Sequence, residues 1–423
     1  MFEKIVKIWK VKEVRAKILF VLAMLVIFRL AAHIPIPGAD LVALKNLFDS
    51  NDVLGMMNLF SGGGMDNFSI IMMGVAPYIT ASIIFQLLGM IVPKFEEMQK
   101  EESGREKINL WTRWLTVPLA AMQAYSMILL LSRSSSKVIT ETNPYNIFLI
   151  IMTVTAGTIF LMWIGELISE RKIGNGVSLL IFAGIVSRLP QLVQQTITTY
   201  DPSQLFTIIG FAIVAVITVI GVVIINEGQR NIPVQYARQI HGSRAVGGTS
   251  THLPLRVNMA GVIPIIFAIS LIMFPSMVAQ FFVNAKTVWL ANAANSVISL
   301  FQNQLFYGIL YFVMVVIFTY FYTAVIFHPD QISENLQKQG GFIPGIRPGK
   351  PTTDYLAYTT QKIILVGALF LGLIATLPLI IRYFTGVQSM AIGGTSLLIV
   401  VSVVIDMVKQ VESQLTMREY DKL

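Results

Sequence analysis

LFTIIGFAIVAVITVIGVVII, residues 205–225, contains no charged side chain, and its reading decides the fold class. A spanning helix needs about 20 mostly apolar residues, and this stretch supplies them without interruption. The candidate span is 204–226. Nine others surround it: 18–36, 70–92, 111–132, 146–168, 175–195, 258–282, 305–327, 361–381 and 391–409. Composition agrees. Of the 423 residues, 55% are hydrophobic and 13% charged, with a mean hydropathy of +0.69, whereas soluble domains carry about a quarter charged residues. The spans leave no stretch long enough for a soluble domain. The expected fold is an all-α membrane protein of ten transmembrane helices.

The formal net charge is +8. In a soluble chain this excess could indicate nucleic acid; between spans, basic residues fix topology. With a cytosolic N-terminus, the cytosolic segments hold 24 of the 31 Lys and Arg, the opposite side holds 6, and Arg29 lies within the first span. Both termini are therefore expected in the cytosol. Residues 1–17 interleave Lys4, Lys7, Lys10, Lys12, Arg15 and Lys17 with Phe2, Ile5, Val6, Ile8 and Trp9. They predict an interfacial amphipathic segment rather than a cleaved leader. Residues 410–423 form a cytosolic tail.

Cysteine is absent and only four His occur, which removes disulfides and thiolate chemistry and leaves no expected metal centre or other cofactor. A Walker phosphate loop is lacking, so ATP-driven work requires a partner. Ile173-Gly174-Asn175-Gly176 superficially resembles a phosphate cradle, but the same glycine pattern opens a helix after a tight turn. Glu166 and Glu170 read as a solvated helix end beside Arg171 and Lys172. Charges inside spans mark substrate pathways, and here they are few, Arg29 and Asp406 among them, each nearer an end than the midplane. Arg29 can offset its burial by snorkelling or by pairing within the bundle. An ion-coupled secondary transporter, the alternative from another functional class, would place more ionisable groups near the midplane. No enzyme constellation is present.

The spans instead carry branched aliphatic residues at helical spacing. Ile79 and Ile83 share a face, as do Val177 and Ile181, and packing alone accounts for such pairs. Gly74-Val75-Ala76-Pro77 and Gly261-Val262-Ile263-Pro264 are tolerated inside membrane helices. Two cytosolic connections, 227–257 and 328–360, are long, basic and rich in Gly and Pro. Loops of that length are usually functional. Composition leaves two readings open for them: docking of a large acidic partner, or a topogenic charge excess on connectors.

The motifs LFSGGGMDNFSI (59–70), PYITASIIFQLL (77–88), ESGREKI (102–108), ERKIGNGVSLLIFAGIV (170–186), EGQRNIPVQYA (227–237), STHLPLRVNMAGVIP (250–264), GFIPGIRPG (341–349) and GGTSLLIVVSVVID (393–406) together resemble the SecY family. That family supplies the central subunit of the bacterial protein translocation channel, and the resemblance covers essentially the whole chain. It implies two five-helix halves, 18–195 and 196–409, related as inverted repeats around an hourglass pore. It also implies passage of unfolded secretory polypeptides across the bacterial cytoplasmic membrane, with lateral release of hydrophobic segments into membrane lipid.

Matched motif by motif, a waist ring falls on Ile79, Ile83, Val177, Ile181, Ile266 and Ile399. Position 177 is Val where many relatives carry Ile. An apolar ring can gate by dewetting while making no sequence-specific bonds to its substrate. A plug is implied at about 54–68, with Asn58, Phe60, Gly62, Gly63 and Gly64; three successive glycines suit a hinge and equally suit a plain loop tip. Arg347, with Arg230, Arg238, Arg244 and Arg256, is implied to dock cytosolic partners, since Arg offers a rigid fork to carboxylate or phosphate. Gln86 and Gln123 are candidates at the lateral gate, and hydrogen bonding between helices explains them equally well. The implied partners are a SecA-like motor ATPase, the ribosome, the translocating polypeptide, and SecE-like and SecG-like small membrane subunits.

Overall fold

The computed structural model describes residues 9–37, 39–44, 61, 63–65, 67–133, 143–198, 205–236, 239–241, 244–246, 250–283, 286–385 and 393–420. Each of the ten expected spans falls on a helix: α1 Lys12–Ala32, α2 Ala76–Ile91, α4 Glu102–Arg133, α5 Pro144–Glu170, α6 Gly176–Thr198, α7 Leu205–Glu227, α8 Ile263–Phe282, α10 Gln304–Ile326, α12 Lys350–Thr385 and α13 Gly393–Tyr420. Among the described residues, six helices are long and apolar enough to cross a membrane unaided. The pair α2 and α3 (Pro93–Lys100), bent by 107°, makes a seventh. The bend falls at Val92, whose extended backbone precedes Pro93, as the clash of a proline ring with the preceding residue requires.

Boundaries depart from the expected spans where local chemistry overrides hydropathy. Residues 70–75 are turn rather than helix, and α2 begins only at Ala76. Helices α4, α12 and α13 run well past their apolar segments. A further helix, α9 (Val288–Gln302), fills the connection between α8 and α10. It was not foreseen because its apolar run is shorter than a span.

The 227–257 and 328–360 connections are more ordered than loops. Strands β1 (Gln229–Tyr236) and β4 (Ser250–Arg256) pair antiparallel, with Ile232 opposite Leu253. Between them lies a small ribbon of β2 (Gln239–His241) and β3 (Arg244–Val246). β1 also pairs with β5 (Gly341–Phe342) from the second connection, giving the order β4-β1-β5. Ile232 and Val234 are buried between exposed neighbours, the period-two pattern of a half-buried strand. With Leu255, Leu336, Ile343 and Leu356 they form a small apolar core, completed by α11 (Pro329–Lys338). The two basic connections are thus one platform, and the face bearing it is called the basic face below.

Side chains draw other elements to that face. Lys17 donates to Gln414 Oε1 at 3.0 Å, and Gln414 donates in turn to the Lys172 carbonyl. Lys409 pairs with Glu227 at 2.8 Å. On the opposite face, Ile36 N–H donates to Phe68 O (2.8 Å) and Ile70 N–H to Ile34 O (3.1 Å), tying the end of α1 to the 61–75 segment. The largest apolar cluster runs through the middle, drawing on α1, α2, α5, α6, α8, α10, α12 and α13. Helix α7 adds Val222 to this cluster and shows Phe206, Ile213, Ile217 and Ile224 outward, as a peripheral helix facing lipid does.

Candidate functional site

Two four-residue motifs set the depth of the central helices. Gly74 (φ 57°) and Gly261 (φ 63°) both adopt the left-handed conformation, which glycine reaches without steric cost. Val75 (φ −95°, ψ 3°) and Val262 (φ −95°, ψ −6°) follow as near-identical caps, and each helix then carries proline in its first turn, where a missing N–H is harmless. Helix α2 runs toward the basic face and α8 runs away from it. The same device therefore starts two helices of opposite direction, one in each half of the chain. Ile79 and Ile266 both lie five residues after the turn glycine.

Those two side chains meet in the middle of the molecule, 6% and 4% exposed. Ile83, Ile181 and Ile399 are buried in the same apolar cluster, with Val177 packed against it. A cavity of about 170 Å³ lies on the basic side of this cluster, bordered by Ile79, Val177 and Ile266 together with Tyr78, Gln86 and Glu166. A smaller one, about 30 Å³, lies on the other side against Ile79, Ile266, Met65, Met73 and Gln123. Ile79 and Ile266 border both, so they form the partition between them.

Helix α6 delivers Val177 and Ile181 through the tight turn after α5. Lys172 is left-handed (φ 58°). Asn175 Oδ1 caps α6 by accepting from Ser178 N–H (3.2 Å). Gly176 N–H donates to Ser169 Oγ (2.9 Å), which donates to the Gly165 carbonyl (2.9 Å). The glycines there serve close backbone packing, not a phosphate cradle: a Cβ at Gly176 would lie 1.8 Å from Gly165 O. Glu166 departs from the solvated reading, pairing with Arg113 of α4 at 2.7 Å and standing only 25% exposed.

Of the expected plug residues, Asn58, Phe60 and Gly62 lie outside the described residues. Gly63 is left-handed (φ 77°) and packs against the Arg188 side chain, with Arg29 close by. Gly64 belongs to a closed turn in which Ser69 Oγ and N–H both donate to its carbonyl (2.9 and 3.0 Å). Among the described residues of this segment, Met65, almost fully buried, reaches the smaller cavity. Motif matching singled out the glycines and passed over it, although its place beside them in LFSGGGMDNF was visible.

Arg230 and Arg256 are exposed at the root of the β1–β4 hairpin, and Arg347 is exposed in a turn bounded by left-handed Gly345 and Gly349. That turn is braced by Thr352 Oγ1, which donates to Arg347 O (2.9 Å), and Ser333 Oγ, which donates to Gly349 O (2.9 Å). Arg244 lies on β3, the side chain not being among those described, and Arg238 lies outside the described residues. Gln86 donates to Ser82 Oγ (3.0 Å) and faces the larger cavity, whereas Gln123 faces the smaller. Among the described residues no group of three or more His, Asp or Glu could hold a metal ion.

Comparison with known proteins gives the same picture. The SecY family profile matches residues 69–408. The protein translocase subunit SecY of Mycobacterium tuberculosis (strain H37Rv) is 42% identical, covering 97% of this chain and 96% of its own. That of Halalkalibacterium halodurans is 43% identical, covering 99% of each. Among solved structures, a protein conducting channel superposes with a TM-score of 0.64 at 20% identity, over 93% of this chain and 91% of its own. Sec61 in the canine ribosome–channel complex from the endoplasmic reticulum superposes with a TM-score of 0.60 at 18% identity, over 94% and 91%. At those identities the superpositions speak for the fold, while the curated relatives speak for the family. The chain belongs to the SecY family, as a multi-pass, non-enzymatic protein translocase subunit of the cell membrane.

Proposed function

We propose that Ile79, Ile83, Val177, Ile181, Ile266 and Ile399 form the waist of a passive polypeptide channel, closed around the passing chain by apolar contact. The observation that carries this reading is the partition itself: two cavities on opposite sides of one aliphatic cluster, with Ile79 and Ile266 bordering both. An aliphatic ring admits any side chain and resists ions by dewetting, and it has no bond to offer that would retain one sequence over another.

The halves are 18–195 and 196–409, and the 54–68 segment acts as the stopper, with Met65 as its contact on the outer side of the waist. Both termini and the β-platform face the cytosol, following the Lys and Arg bias. Arg347, Arg230, Arg244, Arg238 and Arg256 are the docking residues for the ribosome or a motor ATPase, either of which drives the chain. The canine Sec61 neighbour comes from a ribosome complex, which supports the first of these partners. Small SecE-like and SecG-like subunits complete the assembly. Hydrophobic segments leave sideways into lipid past α2, α4, α8 and α10, and Gln86 and Gln123 face the cavities along that route.

The chain contains no cysteine, so single cysteines at the six positions can be tested for disulfide formation with a stalled secretory chain carrying one cysteine. All six should crosslink, and neighbouring lipid-facing positions such as Ile217 should not. Crosslinks distributed without regard to the six would remove the assignment.

A further inference from the structure

The root of the β1–β4 hairpin is fastened to α13 by polar side chains that the waist does not use. Asn226, at the end of α7, donates from Nδ2 to Ser402 Oγ at 2.6 Å. Asn258, just past β4, donates from Nδ2 to Asn226 Oδ1 at 2.7 Å and to Gly261 O at 3.2 Å. Ser402 and Asn258 are 2% and 7% exposed. Backbone bonds make the hairpin root one piece with α7: Val257 N–H donates to Gly228 O (2.9 Å) and Gly228 N–H to Ile224 O (2.7 Å). On its other side Val257 O would stand 2.7 Å from a Cβ at Gly367 of α12, so the root has no slack there.

The joint sits next to the waist. Ser402 is three residues from Ile399, one turn along the same side of α13. Asn258 and its partner Gly261 lead directly into α8, where Ile266 lies in the second turn. Asn258 Oδ1 is buried without a partner among the described residues. An unpaired buried amide oxygen costs free energy, so net stability is a poor account of this side chain and the geometry it imposes is a better one.

We propose that Asn226, Asn258 and Ser402 are positioning residues: a polar joint that sets Ile266 and Ile399 relative to the basic-face hairpin, so that displacement of the hairpin reaches the waist. This rests on the ring reading above and adds the element that would move it.

Two readouts test it in the reconstituted full chain. Asn258→Ala and Ser402→Ala should raise ion leak from vesicles about tenfold, the shift in a closed–open equilibrium that about 1.4 kcal/mol produces, and Ser402→Thr should restore the parental value. Thr376→Ala removes a buried hydroxyl bonded only within α12; it should lower thermal stability without leak. Spin labels at the exposed Asn231 and Val408 should give a narrow distance distribution in the parent and a broad one in Asn258→Ala. An unbroadened distribution overturns the proposal, as does leak that simply follows lost stability in Thr376→Ala. If Ile83→Ser and Ile181→Ser fail to leak, the ring reading falls instead, and the label distances still judge the joint.

Discussion

Replacing Gly176 by alanine should loosen the waist more than any change of similar size elsewhere in the turn that starts α6. A Cβ there would fall 1.8 Å from Gly165 O, 2.6 Å from its carbonyl carbon and 2.9 Å from its Cα. Real Cβ contacts do not go below 3.0 Å, so the α5 and α6 backbones must separate by about 1.2 Å. No side-chain rotation can relieve a clash with backbone, and overpacking of this kind costs about 1–3 kcal/mol. Alanine gains at most about 1 kcal/mol of helix propensity over glycine, so the clash wins. The displacement falls on Val177 and Ile181, the residues α6 contributes to the waist. Gly174→Ala is the matched control. Its Cβ would meet Leu179 Cδ1 at 2.9 Å, the free end of a side chain that can swing away. Dye-loaded vesicles and thermal unfolding in detergent measure both consequences. Gly176→Ala should leak ions and unfold earlier, and Gly174→Ala should stay near the parent. Equal behaviour of the two variants would refute the argument that backbone approach places Val177.

Gly157→Ala should act similarly at the other face, since its Cβ would lie 1.9 Å from Ile70 O; an intact 61–75 segment, judged by unchanged leak and melting, would contradict this. Ile83→Ser and Ile181→Ser should raise conductance in planar bilayers, and an unaltered conductance would remove the ring assignment while leaving family membership untouched. Arg347→Ala lies at an exposed turn, so stability should change by no more than about 0.5 kcal/mol while partner-driven translocation into vesicles falls. Lysine should not restore it if the planar fork is what docks; full transport by Arg347→Ala would separate the residue from docking.

Hydropathy alone placed all ten long helices, because a span must satisfy its backbone internally and cover itself with apolar side chains. That constraint is written residue by residue. Motif matching brought Ile79, Ile83, Val177 and Ile181 out of ordinary packing, and the fold buries or half-buries all four in one cluster. Other features were present in the sequence but unreadable there. The alternation around Ile232 and Val234 is only a few residues long, and its partner β5 is about a hundred residues away. Gly74-Val75-Ala76-Pro77 and Gly261-Val262-Ile263-Pro264 looked like tolerated kinks, and only the backbone reveals them as one capping device used twice.

What the sequence determined by itself is therefore the solvent of each segment: which stretches lie in lipid, which in water, and which end of each span carries the basic residues. What only the tertiary structure decided is which side chains face one another. It joined two basic connections into one sheet and turned Glu166 from solvent to Arg113. It also moved attention in the 54–68 segment from the glycines to Met65, and set Asn226, Asn258 and Ser402 beside the waist. The physical reason is range. Transfer into lipid is a local property that adds along the chain, whereas a hydrogen bond or a close backbone approach depends on elements more than a hundred residues apart, or on the packing of neighbouring helices.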